Sequence, residues 1–156
     1  MMKSDLSSFL PYLLNQAAEL VSANFQPNYR DRYGMLRTEW RVLFHLGRHG
    51  EMTAKQICDQ AMLHKTKVSR AVHALQKKGL LRRETSAEDR RAEVLSLSPR
   101  GKIVFNDLSL AAKDFESDLA ALLSVQELEH LRGTLTKLID ASGSANGRRK
   151  RPGPVG

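Results

Sequence analysis

The chain has 156 residues, with 25 Lys+Arg against 17 Asp+Glu, a net charge of +8, and one cysteine. That length suits one domain with its own core, and 41% hydrophobic with 27% charged residues excludes a disordered chain. A single cysteine excludes a disulfide framework and every multi-cysteine zinc motif. No apolar run approaches the roughly 20 residues that cross a bilayer, and the first residues lead into no secretory signal. The expected location is therefore the cytoplasm, with no membrane partner. The charge is unevenly spread: residues 53–101 carry a net +6, residues 102–140 a net −3, and residues 141–156 a net +4. A concentrated basic block beside an acidic helical region suggests one surface built for a polyanion.

Leu6, Leu10, Leu13, Ala17 and Leu20 recur at steps of four and three, which predicts a first helix. Residues 24–37, with Pro27, Asn28 and Gly34, read as a loop or a broken helix. Thr38 is the expected N-cap of a second helix carrying Trp40, Leu43, Phe44 and Leu46, stopped by Gly47 or Gly50. Thr53 and Gln56 form a capping box that opens a short third helix, with Ile57, Cys58 and Ala61 on its buried side. A fourth helix runs from about Lys65 to Lys78 over Val68, Ala71, Val72 and Leu75, and ends at Gly79. Residues 80–85 and 92–98 flank a charged, turn-prone segment and predict a β-hairpin with a basic tip. Ser98-Pro99 starts a long helix, and Ser124 with Glu127 caps a last one reaching about 140. Residues 141–156 read as a flexible basic tail.

Two short helices joined by a tight turn and followed by a hairpin make a winged helix-turn-helix. The fold class is mainly α with a small β-hairpin wing. The fourth helix has the chemistry of a DNA-recognition helix, because His64, Lys65, Thr66, Lys67, Ser69 and Arg70 crowd its N-terminal half, and His73 lies with Thr66, Ser69 and Arg70 off the buried stripe. Arg70 can read a guanine edge, Thr66 and Ser69 can reach bases or phosphates, and Lys65 and Lys67 neutralise phosphates. His64 could meet a phosphate or merely end the turn. Arg90 and Arg91 at the wing tip suit a narrow minor groove, with Asp89 holding one of them, or a helix residue, in the docked geometry.

Three segments, "EWRVLFHLGRHGEMTAKQIC", "KTKVSRAVHALQKKGLLRR" and above all "SAEDRRAEVLSLSPRG", carry a resemblance. The stretch from Trp40 to Gly101 resembles the multiple-antibiotic-resistance regulator (MarR) family of bacterial transcription factors, and the flanking helices extend the likeness over about residues 5–140. The resemblance implies a homodimer formed through helices at about 5–24 and 99–140, with the winged helix-turn-helix at about 38–98. It places Thr66, Ser69 and Arg70 in the major groove, Arg90 and Arg91 on the wing contact, and Thr38 and Arg41 near phosphate. His64 departs from the acidic or capping residue often found there in the family. The likeness also implies a small aromatic or phenolic effector in a crevice that Phe9, Tyr12, Leu13, Tyr29, Tyr33, Trp40 and Arg41 could approach.

The function expected is a sequence-specific, homodimeric regulator of double-stranded DNA, a repressor on a pseudo-palindromic operator. The alternatives are a winged-helix module docking an acidic protein and a constitutive DNA binder without an effector. No catalytic residue and no cofactor are expected, because the chain has no phosphate loop and no nucleophile elbow. Cys58 reads as a small core residue rather than a redox sensor. His45 and His49 are four apart, but no third ligand lies near enough in sequence to make a metal site.

Overall fold

The computed structural model describes residues 6–88 and 91–149. A 3-10 turn at Leu6–Ser8 precedes α1 (Leu10–Tyr33), α2 (Arg37–His49), β1 (Met52–Thr53), α3 (Ala54–Ala61) and α4 (Lys65–Lys77). Then follow β2 (Leu81–Thr85), β3 (Glu93–Leu97), α5 (Pro99–Ala120) and α6 (Val125–Arg149). The architecture is mainly helical, with one small antiparallel sheet ordered β1-β3-β2. Leu81 faces Leu97 and Thr85 faces Glu93 across the hairpin, while Met52 faces Leu95 on the other edge.

The chain divides into two units, one reaching Lys113 and one beginning at Asp114. The core of the first is built by Val42, Leu43 and Leu46 of α2, Ile57 and Ala61 of α3, Val68, Val72 and Leu75 of α4, and Leu95 of β3. Val104 and Leu108 bring α5 into that core. In the second unit, the end of α5 turns into α6 through the predicted capping box: Ser124 N–H donates to Glu127 and Glu127 N–H to Ser124 Oγ. Arg132 pairs with Glu116 across that turn.

Helix ends explain most of the local structure. Thr53 Oγ1 accepts from Gln56 N–H at 3.2 Å while the Gln56 side chain accepts from Thr53 N–H at 2.9 Å. At the end of α4, Gly79 takes a positive φ of 75°, which glycine adopts without steric cost. The Leu80 N–H then reaches back to the Leu75 carbonyl at 3.0 Å, satisfying a carbonyl that the helix cannot. Ser98 caps α5 by accepting from Gly101 N–H at 3.0 Å, and its hydroxyl donates to the Gly79 carbonyl at 2.6 Å. One serine thus starts α5 and ties it to the end of α4. A Cβ on Gly101 would overlap the Leu80 carbonyl, so the glycine of the Ser-Pro-Arg-Gly segment lets α5 approach the backbone of its neighbour.

The structure departs from the sequence expectations at several places. Residues 24–33, expected as a loop or broken helix, belong to the continuous α1. Phe25 and Tyr29 are buried, whereas Pro27 and Ala23 are exposed. The carbonyl that loses a donor to proline therefore faces solvent, and apolar burial on the other side holds the helix. Thr38 is not the N-cap of α2: Leu36 holds that position, and Glu39 reaches back to its N–H. Gly47 does not stop α2 but lies inside it against the ring of Phe105, and Gly50 closes the helix. Strand β1 was not anticipated, since two residues carry no periodicity. Cys58 is half-buried rather than sealed in the core. Helix α6 continues through the segment read as tail as far as Arg149, because extending a formed helix costs far less than nucleating one.

Two expectations follow from this packing. Gly101→Ala should destabilise the fold by about 1–3 kcal/mol, since the obstacle is backbone and cannot rotate away. Urea unfolding measures it, and an unchanged midpoint would contradict the close approach. The second concerns His45, whose Nδ1 is buried without a partner among the described residues and whose ring lies 6.1 Å from that of His49. Burial, then His49, Arg41 and Arg48, hold its pKa below the ordinary 6.5. The unfolded chain therefore takes up this proton at higher pH than the folded one. Stability falls as pH drops through 6.5 and stops falling below the lowered folded value. His45→Phe should flatten that part of a melting-temperature profile; superimposable profiles would refute it.

Candidate nucleic-acid interface

Helix α4 can bury only one stripe, and Val68, Ala71, Val72 and Leu75 occupy it. All seven residues singled out on this segment, His64, Lys65, Thr66, Lys67, Ser69, Arg70 and His73, are exposed. Thr66, Arg70 and His73 follow one another at four and three residues and share the outward face. His64 is the N-cap residue of α4, and its side chain makes no capping hydrogen bond. The fold therefore presents donors and cations together on one helical ridge.

A hollow lies on each flank of that ridge. One, of about 500 Å³, is an open hollow bordered by α3, α4 and the hairpin, with Lys55, Cys58, Lys65, Ser69, Val72 and Arg83 among its lining. The other, of about 470 Å³, lies between the α1–α2 corner and α4 and is lined by Leu36, Thr38, Lys67, Arg70 and Lys78, among others. Lys65 and Ser69 thus serve one flank, and Thr38, Lys67 and Arg70 the other. Lys55 and Arg83 were not among the expected site residues. Their signal was only membership of the basic block, and nothing in spacing assigned them to a flank. Lys78, at the edge of the second hollow, instead has its ammonium taken up by Glu39 and the Gly34 carbonyl.

In the wing, Arg83 Nη1 pairs with Glu93 Oε2 at 3.2 Å between the strands. Arg91 is exposed. Asp89 and Arg90, the remaining wing-tip expectations, lie outside the described residues.

Arg41 stands apart from the ridge. It is half-buried, and its Nη2 donates to the Ala61 carbonyl at the end of α3. A cation there complements the C-terminal carbonyls of α3, so in this structure Arg41 braces the helix-turn-helix. Burial, with Arg37 nearby, lowers its pKa.

The residues expected around an effector separate into groups. Tyr29 and Trp40 stack with ring centroids 6.0 Å apart, and Phe25 lies 5.5 Å from Trp40. Tyr29 is buried, and desolvation raises its pKa. The Tyr33 hydroxyl donates to Asp107, which also pairs with Arg32 at 2.9 Å. That bond to a carboxylate is the main reason the Tyr33 pKa is raised. Phe9, Tyr12 and Leu13 are exposed at the far end of α1. Tyr12 and Tyr29 are about 25 Å apart along one helix, so a single chain does not bring these groups into one crevice.

No group of three metal-ligating side chains occurs among the described residues, which leaves His45 and His49 without a third ligand. No helix among them is long and apolar enough to cross a membrane.

Comparison with known proteins accounts for this arrangement. Residues 33–92 match a family model described as MarR family. A probable transcriptional regulator from Pseudomonas aeruginosa is 30% identical, with 86% of this chain and 99% of that one covered and a TM-score of 0.73. The MarR family transcriptional regulator SPO1453 from Silicibacter pomeroyi is 26% identical over 89% of this chain and 98% of that one, with a TM-score of 0.78. Bordetella bronchiseptica BpsR, whose DNA binding is regulated by 6-hydroxynicotinic acid, shares the fold at 19% identity, 89% and 99% coverage and a TM-score of 0.78. An exposed donor ridge on the second helix of a winged helix-turn-helix, in a chain so matched, identifies a DNA-binding transcriptional regulator, not an enzyme, and the protein belongs to the MarR family.

Proposed function

We propose that this regulator binds a pseudo-palindromic operator as a homodimer and represses transcription from it. The observation that carries the reading is the exposed ridge of α4, where Thr66, Ser69 and Arg70 stay in solvent while Val68, Val72 and Leu75 are buried. Arg70 engages a guanine edge, Thr66 and Ser69 meet bases or phosphates, and Lys65, Lys67 and Thr38 hold the backbone. His64 and His73 border the same contact. Arg90 and Arg91 enter the adjacent minor groove, with Asp89 supporting them.

Dimerisation is supported by what the single chain leaves uncovered. Leu10, Leu13 and Leu20 of α1 are about half or more exposed, and so are Leu122, Val125 and Ile139 near and on α6. So much apolar surface is unfavourable in water, and pairing with a second copy of the chain removes it from solvent. The dimer then sets half-sites about one helical turn apart.

A small aromatic acid is the proposed effector class, as 6-hydroxynicotinic acid is for BpsR. The half-buried Trp40, stacked on Tyr29 beside Tyr33, offers an aromatic wall at the α1–α2 corner. In this reading the partner protomer contributes the equivalents of Phe9, Tyr12 and Leu13, and Arg41 meets the carboxylate by leaving the Ala61 carbonyl.

Footprinting on genomic DNA around the gene should reveal a symmetric protected site, shortened or lost with an aromatic acid. Light scattering should give twice the 17.5 kDa chain mass. A monomer, or equal affinity for operator and scrambled DNA, would overturn the reading. Arg70→Ala should lose about 1–3 kcal/mol of discrimination at one base position. Lys65→Ala should instead weaken all sequences alike and lower the salt slope by about 1. Anisotropy titrations across a salt series separate the two, and identical behaviour of both variants would refute the assigned roles.

A further inference from the structure

Glu39 is a carboxylate almost sealed from solvent, with 2% of its surface exposed. Its Oε2 accepts the Leu36 N–H, and its Oε1 accepts from Lys78 Nζ at 2.6 Å. The same ammonium donates to the Gly34 carbonyl at 2.9 Å. Three helix ends therefore meet at one cation: Gly34 closes α1, Leu36 and Glu39 open α2, and Lys78 closes α4. Each charge sits where the helix dipoles favour it, the carboxylate at an N-terminus and the ammonium at two C-termini.

A buried ion pair is a weak source of net stability, because desolvating both charges cancels most of their attraction. Its contribution here is geometric. An ammonium shared by a carboxylate and a carbonyl fixes both distance and direction, where an apolar contact tolerates sliding. The lever it controls is long. Thr66 lies twelve residues before Lys78, about 18 Å along the helix. A tilt of about 10° at the Lys78 end moves Thr66 by about 3 Å, a whole hydrogen-bond length.

We propose that Glu39 and Lys78 are positioning residues for DNA recognition: their ion pair, closed on the Gly34 carbonyl, sets the angle at which α4 leaves the α1–α2 corner. The inference rests on α4 being the helix that reads DNA. It makes the pair act on discrimination rather than on general attraction to the duplex.

Anisotropy titrations of the full chain test it, using the parent, Glu39→Gln, Lys78→Met and the double variant. Each is measured on the footprinted operator and on a scrambled duplex across a salt series. Circular dichroism sets a temperature at which all are folded. Each variant should lose about tenfold or more of the operator-over-scrambled affinity ratio, with scrambled affinity and salt slope nearly unchanged. Glu39→Gln is diagnostic in sign. Removing an acid strengthens binding to both duplexes if charge alone matters, whereas loss of positioning weakens binding to the operator. Folded variants that keep the parent ratio overturn the proposal. So does Lys78→Met weakening both duplexes alike with the salt slope reduced by about 0.9, the behaviour of a phosphate contact. The double variant leaves no buried charge unpaired and decides the matter where a single variant unfolds. A parent that does not discriminate overturns the regulator reading itself, an outcome read from the parent alone.

Discussion

Burial of one stripe of α4 is the constraint from which the rest follows. Val68, Val72 and Leu75 are almost completely removed from solvent against α2, α3 and the sheet. A thirteen-residue helix committed in this way has no freedom to turn its other side inward. Polar side chains of the N-terminal half are thereby forced outward together, and recognition chemistry becomes a consequence of packing. The apolar stripe orients the ridge, and the ridge carries the charge.

The ends of the helices matter as much as their faces. Ser98 bridges the end of α4 to the start of α5, Arg41 braces the end of α3, and Lys78 joins the ends of α1 and α4 to the start of α2. Each of these contacts satisfies a carbonyl or a carboxylate that would otherwise be desolvated at a cost. Together they make the helix-turn-helix a braced frame. Precision at a base edge demands such a frame, because hydrogen bonds fail over shifts smaller than the width of a side chain.

Where the sequence could be read, it was through local signals. The capping boxes at Thr53 and Ser124, the stop at Gly79 and the Ser98-Pro99 start each involve residues within a few positions, and each forms as expected. Helix α1 was misread for the same reason. Pro27 and Gly34 are strong local breakers, and only the distant burial of Phe25 and Tyr29 shows that the helix continues past the first. The Glu39–Lys78 pair was invisible because its partners are 39 residues apart, and no local spacing links them. The exposed side chains of α4 were legible as chemistry but not as geometry. Periodicity put them on one side, and the flanking hollows that sort Lys65 and Ser69 from Thr38, Lys67 and Arg70 came only from the fold.

The central claim is that the outward ridge of α4 and the hairpin beside it form the surface that meets the double helix. Amide chemical shifts followed by nuclear magnetic resonance during titration with an operator duplex test that claim directly. The strongest shifts are expected at residues 64–73, with a second group in the strands at 81–85 and 93–97. Shifts concentrated instead on the exposed faces of α1 and α6, with residues 64–73 unmoved, would contradict it.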